Sequence, residues 1–236
     1  MRAVQSRGQD QRMSAFTGLQ PVQVKICCIA SMEEAELALE CGANFLGLVS
    51  AMPSGPGVIP DDAISRIAEY IAGRAKTVLL TSRVTAAEIS RQLVMHRVDI
   101  VQLCDAVADT ELTKLRDVHP DIGLMQVIHV RNAASVKEAV HAARYVDAIL
   151  LDSGNPDASI KELGGTGRVH DWNLSRQIRD SIDKPLFLAG GLRAGNVRDG
   201  VHAVRPFGVD VCSGVREQGV LVQSKLIHFM GDARRV

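Results

Sequence analysis

The stretch Asp147-Ala148-Ile149-Leu150-Leu151-Asp152-Ser153 decides the fold. Its four consecutive apolar residues leave no polar face, so a strand here is covered on both sides, as in a parallel sheet whose crossover helices lie over it. The run closes on a carboxylate, Asp152, where the chain leaves the apolar layer. Runs of the same kind occur on either side, at 22–28, 45–50, 77–80, 99–103, 123–130, 185–191 and 208–215. Together they predict eight strands.

Between most of these runs lie segments of helical length with apolar residues three and four apart, such as Met32 to Cys41 and Ala86 to Met95. Ser31 before Glu33 and Glu34 fits an N-cap followed by first-turn acids, and Gly42 fits a C-cap. Eight alternating strand and helix units favour closure into a single-domain α/β fold, a (β/α)8 TIM barrel over 21–236. A doubly wound open sheet is the alternative. The dinucleotide fingerprint that would support it is absent after the first strand, where the chain reads Ile26-Cys27-Cys28-Ile29-Ala30. The long connection from Gly154 to Arg168 reads as an ordered loop over the barrel mouth, and residues 1–20 as a flexible polar extension.

Lys plus Arg and Asp plus Glu number 27 each, with no basic block. Nothing suggests a grip on nucleic acid or an anionic membrane, which leaves a small molecule as the expected partner. No apolar run is long enough to span a bilayer, and the first twenty residues lack a secretory apolar core, so the expected location is the cytoplasm. Five cysteines, an odd number, argue for reduced thiols.

In such a barrel the strand C-termini converge on one site. Gly190-Gly191 ends the seventh strand and Ser213-Gly214 the eighth, where backbone N–H groups can approach a phosphate closely; Gly165 and Thr166 of the sixth loop join them. The plainer alternative is that these glycines only make tight turns. Asp152, at the end of an apolar strand, is partly desolvated, which raises a carboxyl pKa and suits it to donating a proton; it could also be a loop acceptor. Strand alternation puts Cys27 on the face of Lys25, and a thiol beside a cation can serve as base or nucleophile, although a cysteine there is also a small apolar filler. The same alternation points Cys28 to the opposite face. Cys27, Cys28, Cys104 and Cys212 all lie near strand ends, but no CxxC spacing supports a metal or redox cluster.

Several segments recur in order in one enzyme family: Val24-Lys25-Ile26-Cys27, Val101-Gln102-Leu103, Leu150-Leu151-Asp152-Ser153, and Gly164-Gly165-Thr166-Gly167-Arg168 through Asp171-Trp172. Leu188-Ala189-Gly190-Gly191-Leu192, Asn196-Val197, Val204-Arg205-Pro206-Phe207 and 209–215 complete the set. Over nearly all of 22–215 the chain resembles phosphoribosylanthranilate isomerase, the tryptophan-pathway family. The resemblance implies the barrel already inferred, and an Amadori rearrangement of an N-(5-phosphoribosyl) arylamine to a 1-amino-1-deoxyribulose 5-phosphate, without cofactor or metal. It implies that Asp152 is the general acid at the ring oxygen and Cys27 the base at C2. Lys25, Gln102, Cys104 and Asp210 are expected around the same substrate, in a monomer or homodimer.

The departures gather at the aglycone end. Cys28 stands where the family has Gly, Ala30 where it has Thr, and Cys104-Asp105 where it has His-Gly. Gly55-Pro56-Gly57 replaces Ser-Pro-Arg, whose Arg is the expected partner of the anthranilate carboxylate. Loss of such a bidentate contact would cost about 1.5–3 kcal/mol, and restoring Arg at position 57 is expected to lower KM. Two other readings stay open: a paralogue acting on a phosphorylated aminosugar without the carboxylate, and a non-catalytic phosphometabolite-binding barrel.

Overall fold

The computed structural model of the chain describes Phe16 and residues 22–155, 157–158, 161–165 and 167–235. Eight parallel strands close into a barrel in sequence order: β1 (Gln23–Ile26), β2 (Phe45–Val49), β3 (Lys76–Thr81), β4 (Ile100–Leu103), β5 (Gly123–His129), β6 (Ala148–Asp152), β7 (Leu186–Leu188) and β8 (Gly208–Val211). Closure is made by β1 against β8, with Ile26 opposite Val211. The helices are α1 (Met32–Glu40), α2 (Asp61–Ile71), α3 (Ala86–Met95), α4 (Asp109–Val118), α5 (Ala134–Ala142), α6 (Trp172–Ser181), α7 (Ala194–Val204) and α8 (Gln223–Arg234). A single 3-10 turn (Ser213–Val215) and a hairpin of β9 (Arg216–Glu217) with β10 (Val220–Leu221) lead into α8. None of the helices described is long and apolar enough to cross a membrane.

The local signals act as their chemistry requires. Ser31 caps α1 by accepting from Glu34 N at 3.2 Å, and Gly42, at φ +85°, takes the left-handed conformation just beyond its end. The apolar residues divide into two cores because strand residues alternate faces. Ile26, Leu46, Leu79, Val101 and Ile149 pack outward against the helices, while Phe45, Val78, Ile100, Met125, Leu150 and Phe187 fill the interior.

Of the segment read as a flexible N-terminal extension, only Phe16 is described; 1–15 and 17–20 lie outside the described residues. Phe16 is only 4% exposed, with its ring centroid 6.3 Å from Phe45 and 6.4 Å from Phe187. It plugs the end of the barrel where the strands begin, and a Cβ on Gly123 would sit 3.2 Å from its ring. Burying an aromatic ring stabilises by several times thermal energy, enough to hold one residue of an otherwise polar segment.

Candidate active site

At the other end the strands open onto a cavity of about 650 Å3, with the open solvent at its mouth included. Cys27, Gln102, Cys104, Asp152, Gly190, Gly191, Asp210, Ser213 and Gly165 all line it. Thr166 lies outside the described residues.

Asp152 is the last residue of β6, and its Oδ1 accepts from Ser153 N at 2.7 Å. Burial raises its pKa to about 6, with nearby Asp210 adding to the rise, against the opposing pull of Ser153 and Lys25. Gly164, at φ +133°, lays its backbone against the carboxylate, so that a Cβ there would sit 2.6 Å from Oδ2.

Cys27 follows β1 directly and extends its ladder, with its N–H donating to Val211 O at 2.8 Å. A Cβ on Gly47 of β2 would lie 3.2 Å from both Cys27 Sγ and Lys25 Nζ, so thiol and ammonium share the space that glycine leaves open. Lys25 was expected at the pocket but lies beneath it, fully buried, 2.9 Å from Asp210 Oδ1. Burial alone would lower its pKa, but Asp210 and the neighbouring Cys27 outweigh that and raise it. Burial pushes Asp210 up while Lys25 pulls it down. The pair is ionised, because neutralising either partner would leave the other charge unpaired in the core. Lys25 is thus a fixed cation under the floor of the cavity, seated there because its inward-facing position on β1 has a carboxylate opposite on β8.

Cys104 is fully enclosed and burial pushes its thiol up to about 12. Gln102 reaches it with Nε2 at 3.7 Å, and its buried Oε1 has no hydrogen-bond partner among the described residues. Gly190 and Gly191 take φ of +80° and +63°, and a Cβ on Gly191 would come within 2.8 Å of the backbone of Gly167 and Arg168. Both therefore need to be glycine for the chain's own sake as well as lining the cavity. Gly214 does not line it: a Cβ there would overlap Leu192 O at 2.0 Å, so this glycine serves the packing of the seventh loop on the eighth.

The expectation for Cys28 is overturned. β1 ends at Ile26, and Cys28 adopts φ +63°, which turns its thiol back to the cavity instead of to the opposite face. A left-handed conformation costs a non-glycine residue about 1–2 kcal/mol. Arg216 holds this turn from behind: its Nη2 donates to Cys28 O at 2.6 Å, while Glu34 accepts from Nη1 at 2.7 Å and from Ala30 N at 3.0 Å. Sequence reading missed Arg216 because no local pattern links it to a loop 188 residues earlier. Met52 and Leu163, which line the cavity with Pro56 in an apolar wall, were missed for a similar reason: they lie on loops, where periodicity carries no information.

A family model described as N-(5'-phosphoribosyl)anthranilate (PRA) isomerase matches residues 24–232. The chain belongs to the phosphoribosylanthranilate isomerase family. The N-(5'-phosphoribosyl)anthranilate isomerase of Haloarcula marismortui is 34% identical over 84% of this chain and 88% of its own length. Isomerase 2 of Methanosarcina mazei is 31% identical over 90% of this chain and 94% of its own. The crystal structure of the Thermotoga maritima phosphoribosylanthranilate isomerase superposes with a TM-score of 0.79 at 28% identity, covering 92% of this chain and all of that one. A further solved member, in complex with reduced 1-(o-carboxyphenylamino)-1-deoxyribulose 5-phosphate, superposes with a TM-score of 0.76 at 26% identity over the same shares.

Two departures from the family pattern prove to be one. A Cβ on Gly57, which sits at φ +79°, would lie 2.4 Å from Cys28 Cβ and 3.0 Å from its Cα and Sγ. A side chain at position 57 and one at position 28 therefore exclude each other. Gly57→Arg alone is expected to lose about 2–4 kcal/mol through overlap and left-handed strain, and not to lower KM as the sequence suggested. Cys28→Gly vacates the space, so the double variant Cys28→Gly/Gly57→Arg should recover most of the lost melting temperature and lower KM for the carboxylate-bearing substrate with little change in kcat. Additive losses in the double variant would show that the two positions are independent.

Proposed function

We propose that the chain converts N-(5-phosphoribosyl)anthranilate to 1-(2-carboxyphenylamino)-1-deoxyribulose 5-phosphate, with Asp152 as general acid and Cys27 as general base. Asp152 gives its proton to the furanose ring oxygen as the C1–O bond breaks and the nitrogen lone pair forms the iminium ion. The Cys27 thiolate then takes the proton from C2, and the electron pair of that C–H bond neutralises the iminium to give an enolamine. Tautomerisation of the enolamine yields the ketone. The substrate's own nitrogen is the electron sink, so the protein need supply only one proton donor and one acceptor. Gly190, Gly191, Ser213 and Gly165 offer backbone N–H groups to the phosphate, where the loops after the seventh and eighth strands and a short extra turn commonly bind one. The Oε1 of Gln102, without a hydrogen-bond partner among the described residues, is an acceptor for a ribose hydroxyl. Lys25 holds a positive field beneath the thiolate, at the price of burying Asp210.

The observation that carries this reading is that a carboxyl raised to about 6 and a strand-end thiol above a buried ammonium face one cavity with the phosphate loops. All of these groups come from a single chain, so a monomer and a homodimer can work alike; a Thermotoga maritima relative is described as dimeric. Free thiols in the catalytic centre suit a reducing cytoplasm. The test is turnover of phosphoribosylanthranilate, followed by loss of its fluorescence across pH. The profile of kcat/KM should change slope near pH 6, because each unit above it removes about nine-tenths of the protonated acid. Absence of turnover, with binding of the substrate intact, would favour the non-catalytic barrel.

A further inference from the structure

Cys28 and Cys212 leave the neighbouring strands β1 and β8 side by side, and their sulfurs stand 2.9 Å apart. A shift of about 0.9 Å would bring them to the ~2.05 Å of a disulfide. The contact exists because Cys28 occupies the left-handed region; in an extended continuation of β1 its thiol would turn away from β8. Strain of this kind at a non-glycine residue beside a site is a reason to look for a role, and the acid/base mechanism uses neither thiol. Both residues line the cavity, so a small solute reaches them.

We propose that Cys28 and Cys212 are a reversible oxidation site, closed to a disulfide by a peroxide, and that closure weakens the binding of phosphate in the adjacent loop. Cys212 is the attacking sulfur: its contact with Cys28 and the charge of Arg216 hold its thiol below the usual range, while Cys28 keeps its proton. The Cys212 thiolate attacks one peroxide oxygen, an S–O bond forms, the O–O bond breaks, and hydroxide leaves. The Cys28 sulfur then attacks Cys212, forming S–S as the S–O bond breaks, and water departs with the Cys28 proton. Two thiols and one hydrogen peroxide thus give one disulfide and two waters. Cys212 immediately precedes the Ser213–Val215 turn, so drawing it toward Cys28 displaces Ser213 from the geometry that receives phosphate. This consequence rests on the proposed role of Ser213; formation of the bond does not.

The experiment treats the full-length reduced protein with hydrogen peroxide, maps cross-linked peptides by mass spectrometry, and titrates inorganic phosphate before and after. A 28–212 cross-link should form and be reversed by dithiothreitol, with at least about a threefold rise in phosphate Kd, some 0.65 kcal/mol. The cross-link should survive in Cys27→Ser and vanish in Cys28→Ser and in Cys212→Ser. Oxidation that produces no 28–212 cross-link, or a cross-link with unchanged phosphate affinity, would overturn the proposal. A reduced protein that fails to turn over phosphoribosylanthranilate would instead count against the isomerase reading, because neither readout here depends on turnover.

Discussion

Asp152→Asn is expected to fold, to melt higher than the wild type, and to turn over phosphoribosylanthranilate about a hundredfold more slowly or worse. The two effects have one cause. The surroundings of Asp152 raise its pKa from 3.8 to about 6, so the folded protein holds the acid form more tightly than the unfolded chain does. Its favourable contribution is therefore complete below pH 3.8 and is lost as pH rises through about 6. At neutral pH the carboxylate is a destabilising group, and an amide of the same shape removes roughly 1–3 kcal/mol of that penalty. Part of the residue faces the cavity, which favours the lower half of the range. The stability gap between Asp152→Asn and wild type should accordingly widen from pH 4 to 6 and stay level above. An amide cannot deliver an acidic proton to a ring oxygen, so on the proposed mechanism the same change removes the catalytic step. Denaturation across pH together with kcat tests both. Wild-type turnover in Asp152→Asn would take this carboxyl out of the mechanism, and a falling gap between pH 4 and 6 would contradict the desolvation account.

Cys27→Ala should bring turnover to background while leaving inorganic phosphate and product analogues bound with nearly unchanged affinity. The loss is expected to be large because the thiol sulfur is the proposed acceptor of the C2 proton, and no neighbour can replace it. Cys28 is turned toward Cys212, burial pushes the Cys104 thiol up to about 12, and Lys25 is already protonated and paired with Asp210. The loops proposed to bind phosphate follow β6, β7 and β8, whose backbone does not depend on this side chain, so binding is the control that separates lost chemistry from a collapsed site. Deuterium exchange at the substrate C2 position gives a second readout, which should vanish with turnover. If Cys27→Ala retained exchange while Cys28→Ala abolished it, the two vicinal thiols would have to trade roles.

Much of the barrel and part of its site are legible in the sequence. Local periodicity told strand from helix, because an apolar run such as 148–151 and an amphipathic turn such as 86–95 are decided by residues within one or two turns of chain. Closure then followed from repetition, since eight parallel units with covering helices leave two unpaired edges unless the sheet meets itself. The raised pKa of Asp152 could be read from sequence for the same reason: it comes from standing at the end of its own apolar strand. Cys27 needed the family resemblance as well, because its position beside Lys25 follows from strand alternation, whereas its access to a cavity does not.

What the sequence by itself determined, then, was the alternation of elements, the barrel they close into, and the strand ends on which chemistry stands. Only the tertiary structure decided that Cys28 turns back at φ +63° against Cys212, that Gly57 and Cys28 compete for one volume, that Lys25 is withdrawn from the pocket onto Asp210, and that Phe16 plugs the far end. The physical reason is range: a backbone that leaves a strand is directed by whatever it meets, and here it meets residues from loops 28 to 188 positions away, such as Pro56 and Arg216. Packing at that distance is set by excluded volume and by the pairing of buried charge, neither of which leaves a periodic trace in the chain.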